Sequence, residues 1–61
     1  MDTMKKKWVF ELKYINRALQ EDYALFVAQN IDEAFERGKQ LLKELNGHSI
    51  LGINFNREIW M

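Results

Sequence analysis

Residues 23–47, YALFVAQNIDEAFERGKQLLKELNG, carry the signals of a strand, a helix start, an amphipathic helix and a helix stop in direct succession. Residues 23–29 are apolar with strand propensity, and Asn30 followed by Glu33 three residues later forms a capping box. Asn46-Gly47 then supplies a left-handed stop. The segment predicts one strand and one helix whose apolar stripe is Ile31, Ala34, Phe35, Gly38, Leu41, Leu42 and Leu45.

Gly38 lies on this apolar stripe in the middle of the predicted helix. A glycine there costs about 1 kcal/mol relative to alanine, so a packing reason is expected. We predict that the helix approaches a bulky sheet residue closely at this position.

Two further strands flank the segment. Residues 6–15 alternate with period two, which predicts a strand with Trp8, Phe10, Leu12 and Tyr14 on one face and Val9, Glu11, Lys13 and Ile15 on the other. Residues 16–22 predict a hairpin loop. Residues 49–60 predict a long third strand, with Leu51, Ile53, Phe55 and Ile59 on one face and Ile50, Gly52, Asn54, Asn56 and Glu58 on the other.

The element order β-β-α-β predicts a two-layer α+β domain, in which one helix packs on a three-stranded antiparallel or mixed sheet. The helical connection permits the strand orders 2-1-3 and 1-2-3, and we favour 2-1-3. The 61 residues form one small domain, with a disordered start expected at residues 1–5.

The strand at residues 23–29 is apolar on both faces. Tyr23, Leu25 and Val27 share one face, and Ala24, Phe26 and Ala28 share the other. A single helix covers only one sheet face, and the helix-free face is expected to need a second copy or a larger protein as cover. Edge strands are a second route to a dimer. The residues predicted to form the dimer or partner interface are Ala24, Phe26, Ala28, Ile50, Asn54, Asn56 and Trp60.

Composition excludes several classes of site. Nine basic residues balance nine acidic ones, and the chain contains no cysteine and one histidine. Disulfides, thiolate metal sites and multi-histidine metal sites are therefore excluded. No apolar run approaches the ~20 residues of a membrane span. We expect a cytoplasmic protein without a cofactor or membrane partner.

Catalytic chemistry has few candidates. His48 and Ser49 are the single histidine and the single serine. As neighbours on a strand they are expected to point to opposite faces, so they do not form a nucleophile and base pair. The carboxylate pair Asp32-Glu33 is explained by the positive end of the helix dipole. We therefore expect a protein that is not an enzyme.

Nucleic-acid binding is the alternative function. Lys5, Lys6 and Lys7 directly precede Trp8 and Phe10, and basic residues beside sheet aromatics suit phosphate contact and base stacking. This hypothesis requires the aromatic side chains on the open sheet face, whereas the alternation of residues 6–15 places them toward the helix.

In its size, its lack of cysteine and its single compact β-α-β unit, the chain resembles small accessory proteins encoded by phages and plasmids. By analogy, this resemblance implies stoichiometric binding and blocking of a larger host protein. We therefore predict a homodimeric protein-interaction module that acts as an inhibitor or adaptor of an unidentified protein.

Overall fold

The computed structural model describes residues 5–60, so the start predicted to be disordered lies outside the described residues except for Lys5. The elements are β1 (Lys6–Ile15), β2 (Glu21–Ala28), α1 (Ile31–Glu44) and β3 (Ser49–Trp60). The strands form one antiparallel sheet in the order β2-β1-β3, and the helix packs on one of its faces. The α+β class and the 2-1-3 order are confirmed.

The helix begins and ends where its sequence signals predict. The Asn30 side chain accepts a hydrogen bond from the Glu33 amide at 2.8 Å, and the Glu33 carboxylate accepts one from the Gln29 amide at 2.6 Å. At the other end, Asn46 adopts the left-handed conformation with φ 60°, and the Gly47 amide donates to the Leu42 carbonyl at 2.8 Å. These bonds satisfy backbone groups that a helix leaves without partners at its ends.

The hairpin loop is fastened to the end of the helix. The Asn16 side chain accepts hydrogen bonds from the Ala18 and Gln20 amides at 2.9 and 3.1 Å, which closes the β1–β2 turn. Arg17 donates to both the carbonyl and the side-chain oxygen of Asn46, at 3.1 and 2.9 Å. The same end of the sheet therefore holds the hairpin loop and the helix stop together.

Small residues let the helix lie close to the sheet. Ala34 and Gly38 are its buried residues, and Ala34 packs with Ala28 and Phe10 in the core. A Cβ at Gly38 would collide with the Ile53 Cδ1 atom and would lie 3.3 Å from Ile53 Cγ1, which confirms the predicted close approach. The buried hydrophobic residues are Val9, Phe10, Leu12, Tyr14, Ala28 and Ala34.

The predicted face of β2 is wrong. Ala24, Phe26 and Ala28 pair with Leu12, Phe10 and Trp8, and directly paired residues share a face, so all three lie on the helix side. Tyr23, Leu25 and Val27 therefore face away from the helix. Both sets are apolar, so the alternation alone could not assign them. The small side chains of Ala24 and Ala28 leave room for the close helix, whereas Tyr23 and Leu25 would fill that space.

The faces predicted for β3 are also partly wrong. The register with β1 shifts between Val9 and Phe10 and again between Lys13 and Tyr14, so β3 carries two bulges. Each bulge reverses the alternation beyond it. Consequently Ile50 pairs with Tyr14 on the helix side, whereas Ile59 pairs with Lys7 on the open side.

The helix does not cover the whole sheet face on which it packs. Its 14 residues span about 21 Å, whereas the 12 residues of β3 span about 40 Å. Because the helix starts just after Ala28, beside Trp8, and runs back toward Tyr14, the last residues of β3 extend past its start. The helix-side face near the end of β3 is therefore open.

We predict that Gly38→Ala gains no stability in the native chain but gains about 1 kcal/mol in an Ile53→Val background. The valine lacks the Cδ1 atom that meets the new Cβ, so only there does the helix propensity of alanine take effect. Chemical denaturation of the native chain, the two single variants and the double variant in a double-mutant cycle measures the coupling. An equal effect of Gly38→Ala in both backgrounds would show that Ile53 does not set the helix approach.

Candidate functional site

Four aromatic rings form a cluster across all three strands. Phe10 is at its centre, with its ring centroid 5.9 Å from Phe26 on β2 and 5.9 Å from Phe55 on β3. Trp8 lies 6.2 Å from Phe10 and meets Phe55 edge-on at 5.7 Å. Phe10 is buried, whereas 54% of Phe55 is exposed. The cluster thus continues from the core out to the edge of the sheet.

An apolar groove of about 420 Å³ opens between the helix and β3. The sheet supplies its floor and the first turns of the helix supply one wall. It contains no β2 residue, so it opens on the β3 side of the molecule. We call this surface the apolar groove; its lining residues are Trp8, Phe10, Ile31, Ala34, Phe35, Ile53, Phe55 and Glu58.

The helix wall of the groove is only about half buried. Ile31 and Phe35 belong to the apolar stripe of α1, yet 56% and 49% of their surfaces are exposed. The stripe is wider than the contact that one helix makes with this sheet. Its central residues Ala34 and Gly38 are buried, and its β3 flank remains in contact with solvent.

The one charged residue that lines the groove is already paired. The Glu58 carboxylate lies 3.1 Å from the Lys6 ammonium, across the β1–β3 ladder. Both side chains are about half exposed, so the pair adds little stability. It leaves the groove without a free charge, and such a surface suits an apolar occupant.

The β2 side of the helix differs in character. A smaller hollow of about 150 Å³ lies there, lined by Phe26, Arg37, Gln40, Leu41 and Glu44. Three of these side chains are polar or charged. The two flanks of the helix are therefore unequal, with an apolar flank toward β3 and a polar flank toward β2.

The open sheet face carries a second apolar surface. Tyr23, Leu25 and Val27 follow one another on this face of β2, and we call them the open-face stripe. Tyr23 is 65% exposed and Leu25 is 53% exposed. Lys13 and Glu11 stand opposite these two residues on β1, so charged side chains border the stripe.

The residues predicted to form one interface lie at several separate places. Ala24, Phe26, Ala28 and Ile50 lie on the helix side, where Ala28 is buried and the other three are partly buried. Asn54 pairs with Glu11 and faces the open side, and Asn56 is exposed at a bulge. Trp60 is 61% exposed beyond the helix start, opposite Lys6. The structure does not gather the predicted set into one surface.

The predicted nucleic-acid residues are also dispersed. Lys5 is exposed, Lys6 pairs with Glu58, and Lys7 is partly buried opposite Ile59. Trp8 and Phe10 lie on the helix side, as the alternation predicted. The lysines and the aromatic rings therefore do not form a common platform on the open face.

His48 and Ser49 come closer than predicted. The His48 Nδ1 atom lies 3.4 Å from the Ser49 hydroxyl, because His48 precedes β3 and the alternation of strand side chains does not apply to it. Within residues 5–60, no carboxylate hydrogen-bonds to this histidine. The pair thus lacks the orienting group of a catalytic triad.

Residues 5–60 contain no cluster of three or more His, Cys, Asp or Glu side chains placed to hold a metal ion. Among these residues, no helix has the length and hydropathy needed to cross a membrane. Their buried side-chain nitrogen and oxygen atoms all have hydrogen-bond partners.

No protein-family model, curated protein or solved structure matches this chain. The observations that bear on function are therefore the groove, the open-face stripe and the free strand edges.

Tyr14 is the described residue whose titration is shifted. Burial of its ring, the negative charge of Asp22 and a long hydrogen bond of 3.5 Å to the Asp22 carboxylate raise the pKa of its hydroxyl. The folded chain therefore holds a proton that the unfolded chain releases above about pH 10. The resulting stability is present below that pH and is lost as the pH rises beyond it.

We predict that Tyr14→Phe reduces the loss of stability between pH 9 and pH 11, since phenylalanine has no proton to release. Denaturant unfolding of both proteins across this range, at constant ionic strength, measures the two slopes. Identical slopes would mean that Tyr14 titrates alike in the folded and unfolded chains.

Proposed function

We propose that this chain is a small, non-enzymatic protein-interaction module that acts by stoichiometric binding, as an inhibitor or adaptor of a larger protein, and that self-associates as a homodimer. The proposal includes the cytoplasmic location expected from the cysteine-free composition. The observation that carries it is the open-face stripe, an apolar row that no helix or strand within residues 5–60 covers.

The stripe has the composition of a protein-binding surface. Tyrosine is enriched at the energetic centres of interfaces, and a polar border excludes water from the apolar contact. Covering the exposed parts of Tyr23 and Leu25 would contribute about 1–2 kcal/mol each. Lys13, Glu11 and Arg57 on the same face supply a border of both charge signs.

The apolar groove lies on the other face of the sheet and is a separate surface. A chain that contacted one partner through the groove would still expose the stripe. Two apolar surfaces on opposite faces therefore support self-association through one of them and binding of a different protein through the other.

RNA or single-stranded DNA binding has less support. Lys6 pairs with Glu58, and the aromatic residues next to the lysines, Trp8 and Phe10, lie on the helix side of the sheet. The net charge of zero also gives no long-range attraction to phosphate. On the open face, Tyr23 supplies the exposed aromatic ring, and one ring is not enough to stack successive bases.

We predict that Tyr23→Glu combined with Leu25→Lys abolishes partner binding while the fold is kept. The new glutamate stands opposite Lys13 and the new lysine opposite Glu11, so both cross-strand pairs are complementary and the net charge stays zero. Tagged wild-type and variant proteins are incubated with nuclease-treated extract of the source cells, and retained proteins are quantified by mass spectrometry.

The matched control is Glu36→Lys combined with Lys39→Glu, an equally charge-neutral exchange at two exposed positions of the helix. We expect one protein to be retained in near-stoichiometric amount by the wild type and the control, and at least tenfold less by the stripe variant. Equal retention by all three would refute binding through the stripe. In a parallel incubation with extract that is not nuclease-treated, retention that nuclease abolishes and that falls in a Lys5→Ala, Lys6→Ala, Lys7→Ala variant would favour the alternative.

A further inference from the structure

The outer edge of β3 is the least protected part of the sheet. Along this edge, β3 has no pairing partner among residues 5–60. Proteins usually protect such edges with charged side chains, proline or bulges. Residues 49–56 contain neither a charge nor a proline, and the bulges at Leu51 and Asn56 leave Gly52–Phe55 between them in regular register.

The edge formed by β2 is better protected. β2 has 8 residues and starts with the charged pair Glu21-Asp22. The hollow beside it is lined by Arg37, Gln40 and Glu44. On the helix side of the sheet, β3 is therefore the edge at which a free backbone ladder and an apolar side-chain surface lie next to each other.

We infer that a second copy of this chain covers the apolar groove by pairing its β3 antiparallel to β3 of the first copy. A twofold axis perpendicular to the sheet keeps both helices on the same face, so the two grooves meet across the axis. The result is a six-stranded sheet with β3 strands at its centre. This inference rests on the proposed self-association and specifies its surface.

The area available fits a stable dimer. The exposed parts of the side chains along this edge amount to about 500 Å² per copy, given 150–250 Å² for a whole aromatic side chain. Two copies supply about 1,000 Å², and the paired backbones add to this, which reaches the ~1,200 Å² of the smaller specific interfaces. The side chains concerned are Ile31, Phe35, Leu51, Phe55 and Trp60.

Charge does not oppose this contact. Glu58 is neutralised by Lys6 within each copy, and the net charge of the chain is zero. The small core of the domain also favours an occupant, because a chain of this length buries only about 60% of its unfolded surface. A second copy removes the free β3 edge and the exposed aromatic side chains in one step.

The face pattern selects a register. Paired residues share a face, so a helix-side residue must meet a helix-side residue of the second copy. With Asn54 on the axis, Ile53 meets Phe55 of the second copy, and both lie on the helix side. The two Asn54 residues then face each other on the open side, outside the groove.

The first test is the matched pair Phe35→Gln and Tyr23→Gln, which each replace one half-exposed aromatic residue. Phe35 lines the groove and Tyr23 lies on the open face. Sedimentation velocity at increasing concentration should show a wild-type dimer. We expect the dissociation constant of the dimer to be at least about 30-fold higher for Phe35→Gln and unchanged for Tyr23→Gln. Melting of both variants at low concentration verifies that they fold.

The second test uses the absence of native cysteine. An Asn54→Cys pair at the axis would have a Cα separation of about 5 Å, which permits a disulfide between copies. The control Tyr23→Cys places its sulfur on β2, five strand spacings or about 24 Å from its mate. Mild oxidation should therefore give covalent dimers of Asn54→Cys alone.

The outcomes separate this inference from the proposed function. A wild-type monomer at all concentrations overturns the inference together with the proposed self-association, and leaves the binding of a foreign protein through the open-face stripe to its own test. A dimer that Tyr23→Gln dissociates and Phe35→Gln does not, or that crosslinks through Tyr23→Cys, also overturns it and assigns the dimer to the open face. Loss of a foreign partner in Phe35→Gln, with a monomeric wild type, would assign the groove to that partner.

Discussion

A helix advances about 1.5 Å per residue and a strand about 3.3 Å, and this difference shapes the whole domain. The 14 residues of α1 cannot cover the 12 residues of β3 in length, and a single helix is too narrow to shield three strands completely. The helix is held by small residues, Ala34 and Gly38, which bring it close to Ile53 and Phe26. Close contact at the centre leaves the flank with Ile31 and Phe35 open.

The sequence was sufficient to predict the elements and to limit the strand order to 2-1-3 or 1-2-3, because each signal there is local or topological. The bounds of β2 differ, since it begins at Glu21, two residues before the predicted strand. Asn30 and Glu33 cap the helix, Asn46 ends it, and the helical connection allows few arrangements of three strands. The faces of the strands were harder to predict. In β2 both faces are apolar, and nothing in the alternation shows that Ala24 and Ala28 suit the close helix better than Tyr23 and Leu25 do.

The bulges explain why the groove was missed. Each one reverses the alternation along β3, so Ile50 and Glu58 lie on the helix side together with Phe55. The sequence hint was limited to Gly52 and an unusually long strand. The exposure of Ile31 and Phe35 could not be predicted from the sequence either. Periodicity identifies an apolar stripe on a helix, but it does not give the width of the sheet surface on which the stripe packs. The groove therefore follows from the packing of the helix against β3.

The two edges of the sheet then carry different chemistry because of where the helix lies. On the β2 side, Arg37, Gln40 and Glu44 border the strand, whereas on the β3 side Phe35 and Phe55 do so. On the helix side, a strand that approaches β2 meets polar side chains that lose water on contact, and a strand that approaches β3 meets apolar ones that gain from losing it. The backbone groups of both edges are equivalent donors and acceptors. Selection between the edges on the helix side thus depends on the side chains beside them, and these side chains favour β3.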